Sequence, residues 1–300
     1  MIAWVDDAPG REAMGPAPDG WTVVPFPDDP AAADERAEVA FVVPDWQASR
    51  GLDALPALRV VQTRSAGVDW IVDRVPEGVT LCSARGARDA AMAEWVLWAI
   101  LADFKAAGVA ARQQAAREWE HLDLRDLLGA RVLIVGHGAI GEAVEERLRP
   151  FGVAEVVRVA RRPREGVHGV DELERLLPGA DVVVDLLPAT PATQRLFDAR
   201  MLRAMRPGAL LVNAGRGTTV DTGGLLAALH EGRIRAVLDV VEPEPLPADH
   251  ELWSAPNLIL TPHSAGDTPG AERAAWALAG EQLRRFAAGE PLRNVVRDGY

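Results

Sequence analysis

Residues Val132 to Gly141 read VLIVGHGAIG, an apolar run followed by Gly136, Gly138 and Gly141 in the spacing G-x-G-x-x-G. Glu142 to Arg149 then continues as a helix with Ile140, Val144 and Leu148 on one side. Strand, glycine turn and helix in this order constrain the fold more than any other segment. The first glycine permits a tight turn, the second lets backbone N–H groups approach a pyrophosphate, and the third lets helix and strand pack closely. The helix N-terminus then turns its partial positive charge toward the anion. Gly136, His137, Gly138, Ala139, Ile140 and Gly141 are therefore expected to cradle a nucleotide. Cradles of this kind also accept flavins and S-adenosylmethionine, so the rest of the chain has to choose among them.

Similar apolar runs recur along the 300 residues with helical segments between them, the rhythm of βαβ units around parallel sheets. Strands are expected at Ile2 to Val5, Thr22 to Val24, Val39 to Val43, Leu58 to Gln62 and Val79 to Cys82, forming one small sheet. A second series covers Arg131 to Val135, Val156 to Val159, Asp181 to Leu186, Ala209 to Asn213, Ala236 to Val240 and Leu258 to Leu260. Ala90 to Ala107 reads as one long, mostly buried connecting helix containing Trp95, Leu97, Trp98 and Leu101. Thr268 to Ala288 reads as a last helix that packs back on the first domain. The expected division is residues 1–88 plus 265–300 as one domain and 89–264 as the other.

Composition narrows the functional classes. A net charge of -12, from 44 acidic and 32 basic residues, opposes attraction to nucleic acid or anionic lipid. Cys82 is the only cysteine, which rules out an internal disulfide and a CxxC metal site, argues against metal catalysis and suits a reducing cytosol. The N-terminus MIAWVDDAPG has no basic segment before its apolar run, and no stretch approaches the ~18 apolar residues of a membrane span. A cytoplasmic chain is the expectation. Most of the nine tryptophans are expected to serve as packing, including Trp46, whose other reading is a wall of a substrate pocket.

A cofactor selector lies about twenty residues past the glycines. A nicotinamide dinucleotide lacking a 2'-phosphate usually meets an acidic residue at the end of the second strand, where it accepts hydrogen bonds from the ribose hydroxyls. Here the chain reads VVRVARRP, so Arg161 and Arg162 stand where that acid would be. Arginine suits a 2'-phosphate, so NADP(H) is the expected cofactor, with NAD(H) as the secondary one.

Three downstream segments, LLVNAGRGTTVD, VLDVVEPEPLP and LILTPHSAG, each follow or end an apolar strand, where ligands collect in open α/β sheets. Reducing a 2-keto acid needs a fixed cation to hold the carboxylate and polarise the ketone, and an acid to protonate its oxygen. Arg216 suits the first role and His263 the second, with Glu244 as the carboxylate that keeps the imidazole protonated.

Together with LLPATPAT, and in this order, these segments make the chain resemble the D-isomer-specific 2-hydroxyacid dehydrogenases, with glyoxylate and hydroxypyruvate reductases nearest in character. The resemblance spans nearly the whole chain. It implies two Rossmann-like α/β domains: a flavodoxin-like substrate-binding (cap) domain and a doubly wound, parallel-sheet NAD(P)-binding domain, with the active site in the cleft between them and a homodimer built on the cofactor domains. It implies that Arg216 binds the substrate carboxylate and carbonyl, that His263 is the acid/base and that Glu244 is its partner. Asp239 would meet the nicotinamide carboxamide, while Leu187, Pro188 and Ala214 would lie along the nicotinamide and ribose. In QTRSAGVD, Ser65, Ala66 and Gly67 match the loop whose amides hold the substrate carboxylate. Formate dehydrogenases carry glutamine at the position of Glu244, which argues against that branch. The remaining alternative is a corepressor-like scaffold of the same fold that binds dinucleotide with little turnover.

Overall fold

The structure, a computed structural model, describes residues 1–297. It divides into two compact units, Met1–Asp89 with the chain from Asp267 onward, and Ala90–Gly266. Each is built on a wholly parallel sheet.

The first unit contains β1 (Ile2–Val5), β2 (Thr22–Pro25), β3 (Val39–Val43), β4 (Val60–Gln62) and β5 (Thr80–Cys82) in the order β2-β1-β3-β4-β5. This is the flavodoxin-like order. All five residues of β3 are buried, as befits the middle of a sheet covered on both faces. The crossovers within this sheet carry short 3-10 turns rather than the expected helices. The first two contain PAPDG and FPDDP, whose prolines lack the N–H that a helix ladder needs.

The second unit contains α1 (Asp89–Phe104), α2 (Ala107–Ala116), β6 (Arg131–Val135), α3 (Ala139–Leu148), β7 (Glu155–Val159), α4 (Leu173–Leu176), β8 (Val182–Asp185), α5 (Ala199–Ala204), β9 (Leu210–Asn213), α6 (Thr222–His230), β10 (Arg235–Leu238) and β11 (Leu258–Leu260). Its sheet order is β11-β10-β9-β8-β6-β7. The chain leaves β6 for β7 on one side and resumes with β8 on the other, so the switch point of this sheet lies between β6 and β8. The turn after β6 is the glycine motif. Beyond β7, His168 adds an isolated parallel bridge to Val159.

In the first unit, α7 (Pro269–Ala287) packs on the sheet through Trp276, Ala279 and Leu283, which meet Ala3, Val5 and Phe41. Thr268 caps it by accepting from the Ala271 N–H. A side chain at Gly280 would lie 1.9 Å from the Met14 carbonyl, so only glycine allows this approach of helix to turn.

Two packing expectations are corrected. The single helix expected over Ala90 to Ala107 ends at Phe104, because Ala106 takes a left-handed conformation (φ 52°), and α2 follows with no buried residue. On α1 the small residues Ala93 and Ala99, with Val96 and Ile100, line the core, while Trp98 is 45% exposed and stacks obliquely on Trp95 at 5.8 Å. Tryptophan also serves the core less than expected. Trp4, Trp21 and Trp276 are buried, but Trp46, Trp119 and Trp253 join Trp98 at the surface. Trp46 stacks on Trp70 at 6.0 Å and lies beneath the Arg74 guanidinium at 4.1 Å, an exposed arrangement rather than core packing. Among the described residues no helix is long and apolar enough to cross a membrane.

Candidate active site

The glycine turn is built for close approach. Gly136 has φ 103°, and a Cβ there would lie 2.8 Å from the Leu186 carbonyl of the neighbouring strand end. At Gly141 a Cβ would be 3.0 Å from the Gly136 oxygen, so this glycine seats α3 against the turn. Gly138 differs: its φ of -104° is open to any residue, and a Cβ there meets nothing within 4 Å. Neither conformation nor packing requires glycine at 138, whereas an anion approaching the backbone does. Gly138 is also the N-cap of α3 with no side-chain acceptor. These features fit the pyrophosphate of a dinucleotide.

His137 serves the cradle through its backbone. Its ring is buried and hydrogen-bonds through Nε2 to Glu145 Oε2 at 2.9 Å. Arg158 on β7, together with Arg149 and His137, holds the Glu145 carboxyl at a pKa of about 2. The buried Glu145 thus ties α3, the glycine turn and the selector strand together. Arg161 and Arg162 are exposed and form no ion pair among the described residues. Arg164, in the same loop, donates to the His137 carbonyl at 3.1 Å and lies 3.9 Å from Glu142. This third arginine sits beside the cradle, and the sequence pattern singled out only Arg161 and Arg162.

Arg216, Glu244 and His263 follow the adjacent strands β9, β10 and β11. His263 Nδ1 lies 2.8 Å from Glu244 Oε1, which leaves Nε2 for a reactant. The hydrogen bond to Glu244 is the main cause that raises the His263 pKa above its ordinary 6.5; burial and the positive charge of Arg216 oppose it, and Asp239 adds to it. His263 itself has φ 51°. That strained conformation is fixed by its N–H donating to the Asp239 carbonyl at 2.8 Å.

Glycines flank Arg216 for steric reasons. A Cβ at Gly215 would be 2.5 Å from the Leu187 carbonyl, and one at Gly217 would be 1.9 Å from the Val241 carbonyl. The guanidinium Nη1 donates to the Gly215 carbonyl at 2.8 Å. Leu187 and Ala214 are buried at the same strand ends, with Pro188 next to them.

Asp239 is 2% exposed. It accepts from the Thr261 hydroxyl, from the Ser264 N–H at 2.9 Å and from the Ala265 N–H at 2.9 Å. Of the roughly four acceptor directions of a carboxylate, these take three. Its charge thus braces the loop that carries His263, a role the strand pattern did not disclose.

In the first unit, Ser65 Oγ donates to the Gly67 carbonyl at 2.7 Å and lies 3.0 Å from Trp70 Nε1, which donates to it. The N–H groups of Ala66 and Gly67 have no acceptor among the described residues. Arg64, between Thr63 and Ser65, is held by Asp6 at 2.6 Å and Glu272 at 2.8 Å. The loop therefore offers backbone donors on a fixed frame.

Residues 97–265 match the family model for the NAD-binding domain of D-isomer specific 2-hydroxyacid dehydrogenases. A D-isomer specific 2-hydroxyacid dehydrogenase from Xanthobacter autotrophicus Py2, solved with NADPH and MES, is 30% identical; the match covers 100% of this chain and 99% of that one with a TM-score of 0.84. An NADPH-dependent glyoxylate/hydroxypyruvate reductase from Sinorhizobium meliloti, solved with NADP and sulfate, is 28% identical over 100% of this chain and 99% of that one, with a TM-score of 0.86. A glyoxylate reductase from Thermofilum pendens is 34% identical over 80% of this chain and 75% of its own length. The two parallel sheets, the glycine turn at the switch point and the three strand-end segments are accounted for together: the chain belongs to the D-isomer specific 2-hydroxyacid dehydrogenase family.

Proposed function

We propose that the protein reduces a small 2-keto acid of the glyoxylate or hydroxypyruvate type to the D-2-hydroxy acid, with NADPH preferred over NADH. The observation that carries this reading is the His263–Glu244 contact of 2.8 Å beside Arg216. The D configuration follows the family.

NADPH, when bound, supplies the hydride. Arg216 holds the substrate carboxylate and polarises the ketone, and His263 donates a proton from Nε2 to the ketone oxygen as negative charge develops there. Glu244 keeps His263 protonated beforehand and balances its charge. In the first unit, Ala66 and Gly67 offer backbone N–H groups that suit a carboxylate. Gly138 leaves the pyrophosphate room to reach the α3 N-terminus, and Leu187, Pro188 and Ala214 give the nicotinamide an apolar seat that excludes water. Arg161 and Arg162 meet the 2'-phosphate, and the single buried thiol of Cys82, pushed up to about 11 by burial, suits a cytoplasmic enzyme.

Two named relatives support the substrate and cofactor assignments, since both are glyoxylate or hydroxypyruvate reductases and one was solved with NADP. A homodimer built on the second unit accords with the exposed apolar residues Trp98, Val109, Trp119, Leu124 and Leu128, and sedimentation tests it.

The function is tested by assaying purified protein against a panel of 2-keto acids with each cofactor. Turnover of glyoxylate or hydroxypyruvate with a higher kcat/KM for NADPH is expected. Tight dinucleotide binding with no turnover of any keto acid overturns the reading.

A further inference from the structure

Asp185, the last residue of β8, is fully buried, and neither the cradle nor the proton transfer uses it. Its surroundings fix its hydrogen. Oδ1 accepts from the Leu187 N–H at 2.9 Å, and Oδ2 hydrogen-bonds to Thr219 Oγ1. The same Thr219 oxygen is 2.6 Å from the Arg216 carbonyl oxygen, which can only accept. A hydroxyl has one proton to give. Were Asp185 ionised, Thr219 would have one hydrogen for two acceptors, and one of its two close oxygen contacts would hold no hydrogen, lone pairs facing each other in a buried site. With a proton on Asp185 Oδ2, the carboxyl donates to Thr219 and Thr219 donates to Arg216, so every group in the chain is satisfied.

We infer that Asp185 is a neutral, proton-donating carboxylic acid that positions the main chain of Arg216 through Thr219. Burial pushes its pKa to about 7, offset in part by the Thr219 and Leu187 hydrogen bonds. The ionisable groups on the elements around it have partners of their own. From the β6 side His137 meets Glu145, and at the end of β10 Asp239 meets Thr261 and the Ser264 and Ala265 amides. After β9, Arg216 donates to the Gly215 carbonyl. Asn213, next to Asp185 on β9, adds a bond from Nδ2 to the Arg216 carbonyl at 3.1 Å. One carboxyl thus joins the loop after β8, through Leu187, to the loop that carries Arg216. Ionisation takes the Thr219 proton away from the Arg216 carbonyl and loosens that loop.

Asp185→Asn tests this, because its side-chain amide donates to Thr219 and its oxygen still accepts from Leu187, copying the neutral acid. A folded-state pKa raised from 3.8 to about 7 means the native state holds a proton that the unfolded state has released. Wild-type stability therefore falls, relative to the variant, as pH rises from about 4 to 7. The Tm difference between Asp185→Asn and wild type is expected to shift steadily in the variant's favour across that interval and then level off. A difference that stays constant from pH 4 to 8 overturns the neutral acid. If the variant does not fold, the infrared band of a protonated carboxylic acid in wild type at pH 6, assigned by labelled aspartate, shifted in frequency in Thr219→Val and lost by pH 9, is the substitute reading; its absence at pH 6 also overturns it.

The positioning half rests on Arg216 as the substrate-carboxylate binder and is read separately. Asp185→Asn is expected to keep the keto-acid KM within about twofold of wild type, while Asp185→Leu and Thr219→Val raise it roughly fivefold to tenfold with a smaller change in kcat. Equal KM in Asp185→Leu and wild type overturns the positioning role without touching the stability result. Loss of the stability signature with normal keto-acid reduction leaves the proposed reaction standing and removes only Asp185 from it.

Discussion

His263 Nδ1 and Glu244 Oε1 lie 2.8 Å apart, and this one contact sets which nitrogen of the imidazole is committed and which faces a reactant. The bond to Glu244 raises the His263 pKa above 6.5, so reduction, which needs the protonated ring, is sustained at low pH and lost as pH rises through that raised pKa. Glu244→Gln removes the negative charge. The descending limb of kcat/KM for keto-acid reduction is expected to move to lower pH in this variant. A limb that stays in place breaks the dyad.

Arg216→Ala removes the cation that would hold both carboxylate and ketone. Its expected signature is a rise in KM together with a fall in kcat, with kcat/KM down by about a thousandfold. Arg216→Lys restores charge without the planar fork and should recover only part of the loss. Steady-state kinetics with glyoxylate or hydroxypyruvate decide it; an Ala variant within about threefold of wild type removes Arg216 from the site.

Gly138 and Gly217 are glycines for different reasons, and substitution separates them. At Gly138 a Cβ would meet nothing within 4 Å, so Gly138→Val should change folding stability by less than about 1 kcal/mol while weakening dinucleotide binding at least tenfold. At Gly217 a Cβ would lie 1.9 Å from the Val241 carbonyl, so Gly217→Ala should destabilise the fold by about 2 kcal/mol or more. Urea unfolding and cofactor titration measure both. Unchanged binding in Gly138→Val excludes the proposed path of the pyrophosphate.

Arg161 and Arg162 carry the cofactor preference in this account. The double variant Arg161→Ala/Arg162→Ala is expected to raise KM for NADPH by roughly tenfold or more while leaving NADH nearly unchanged. Arg164→Ala should act in the same direction, more weakly, because that side chain also braces the His137 carbonyl. An equal effect on both cofactors would return these arginines to the solvated surface.

The glycine turn and the meeting of His263 with Glu244 were legible in the sequence because each segment follows an apolar strand. Glycines at 136, 138 and 141 follow an apolar strand, and Arg216, Glu244 and His263 each follow another. What the sequence hid depends on neighbours distant in the chain. Asp185 ends a Val-rich run and reads as an ordinary strand boundary until the fold sets Thr219 beside it. Glu145 reads as a solvated helix charge until β7 brings Arg158 to it. Trp95 and Trp98 suggested a buried helix face, but the parallel sheet accepts the smaller Ala93, Val96 and Ala99 instead, leaving Trp98 outside. The end of α1 was missed for a related reason: alanines continue through Ala106 and Ala107, and only the left-handed backbone at Ala106 divides the two helices.

The most direct test of the central claim is the rate of NADPH oxidation at saturating glyoxylate or hydroxypyruvate, compared between wild type and His263→Ala at neutral pH. Wild type is expected to turn over and His263→Ala to lose roughly a hundredfold or more in kcat, as befits removal of a general acid, with NADPH binding unchanged. Turnover by His263→Ala at the wild-type rate would contradict the account.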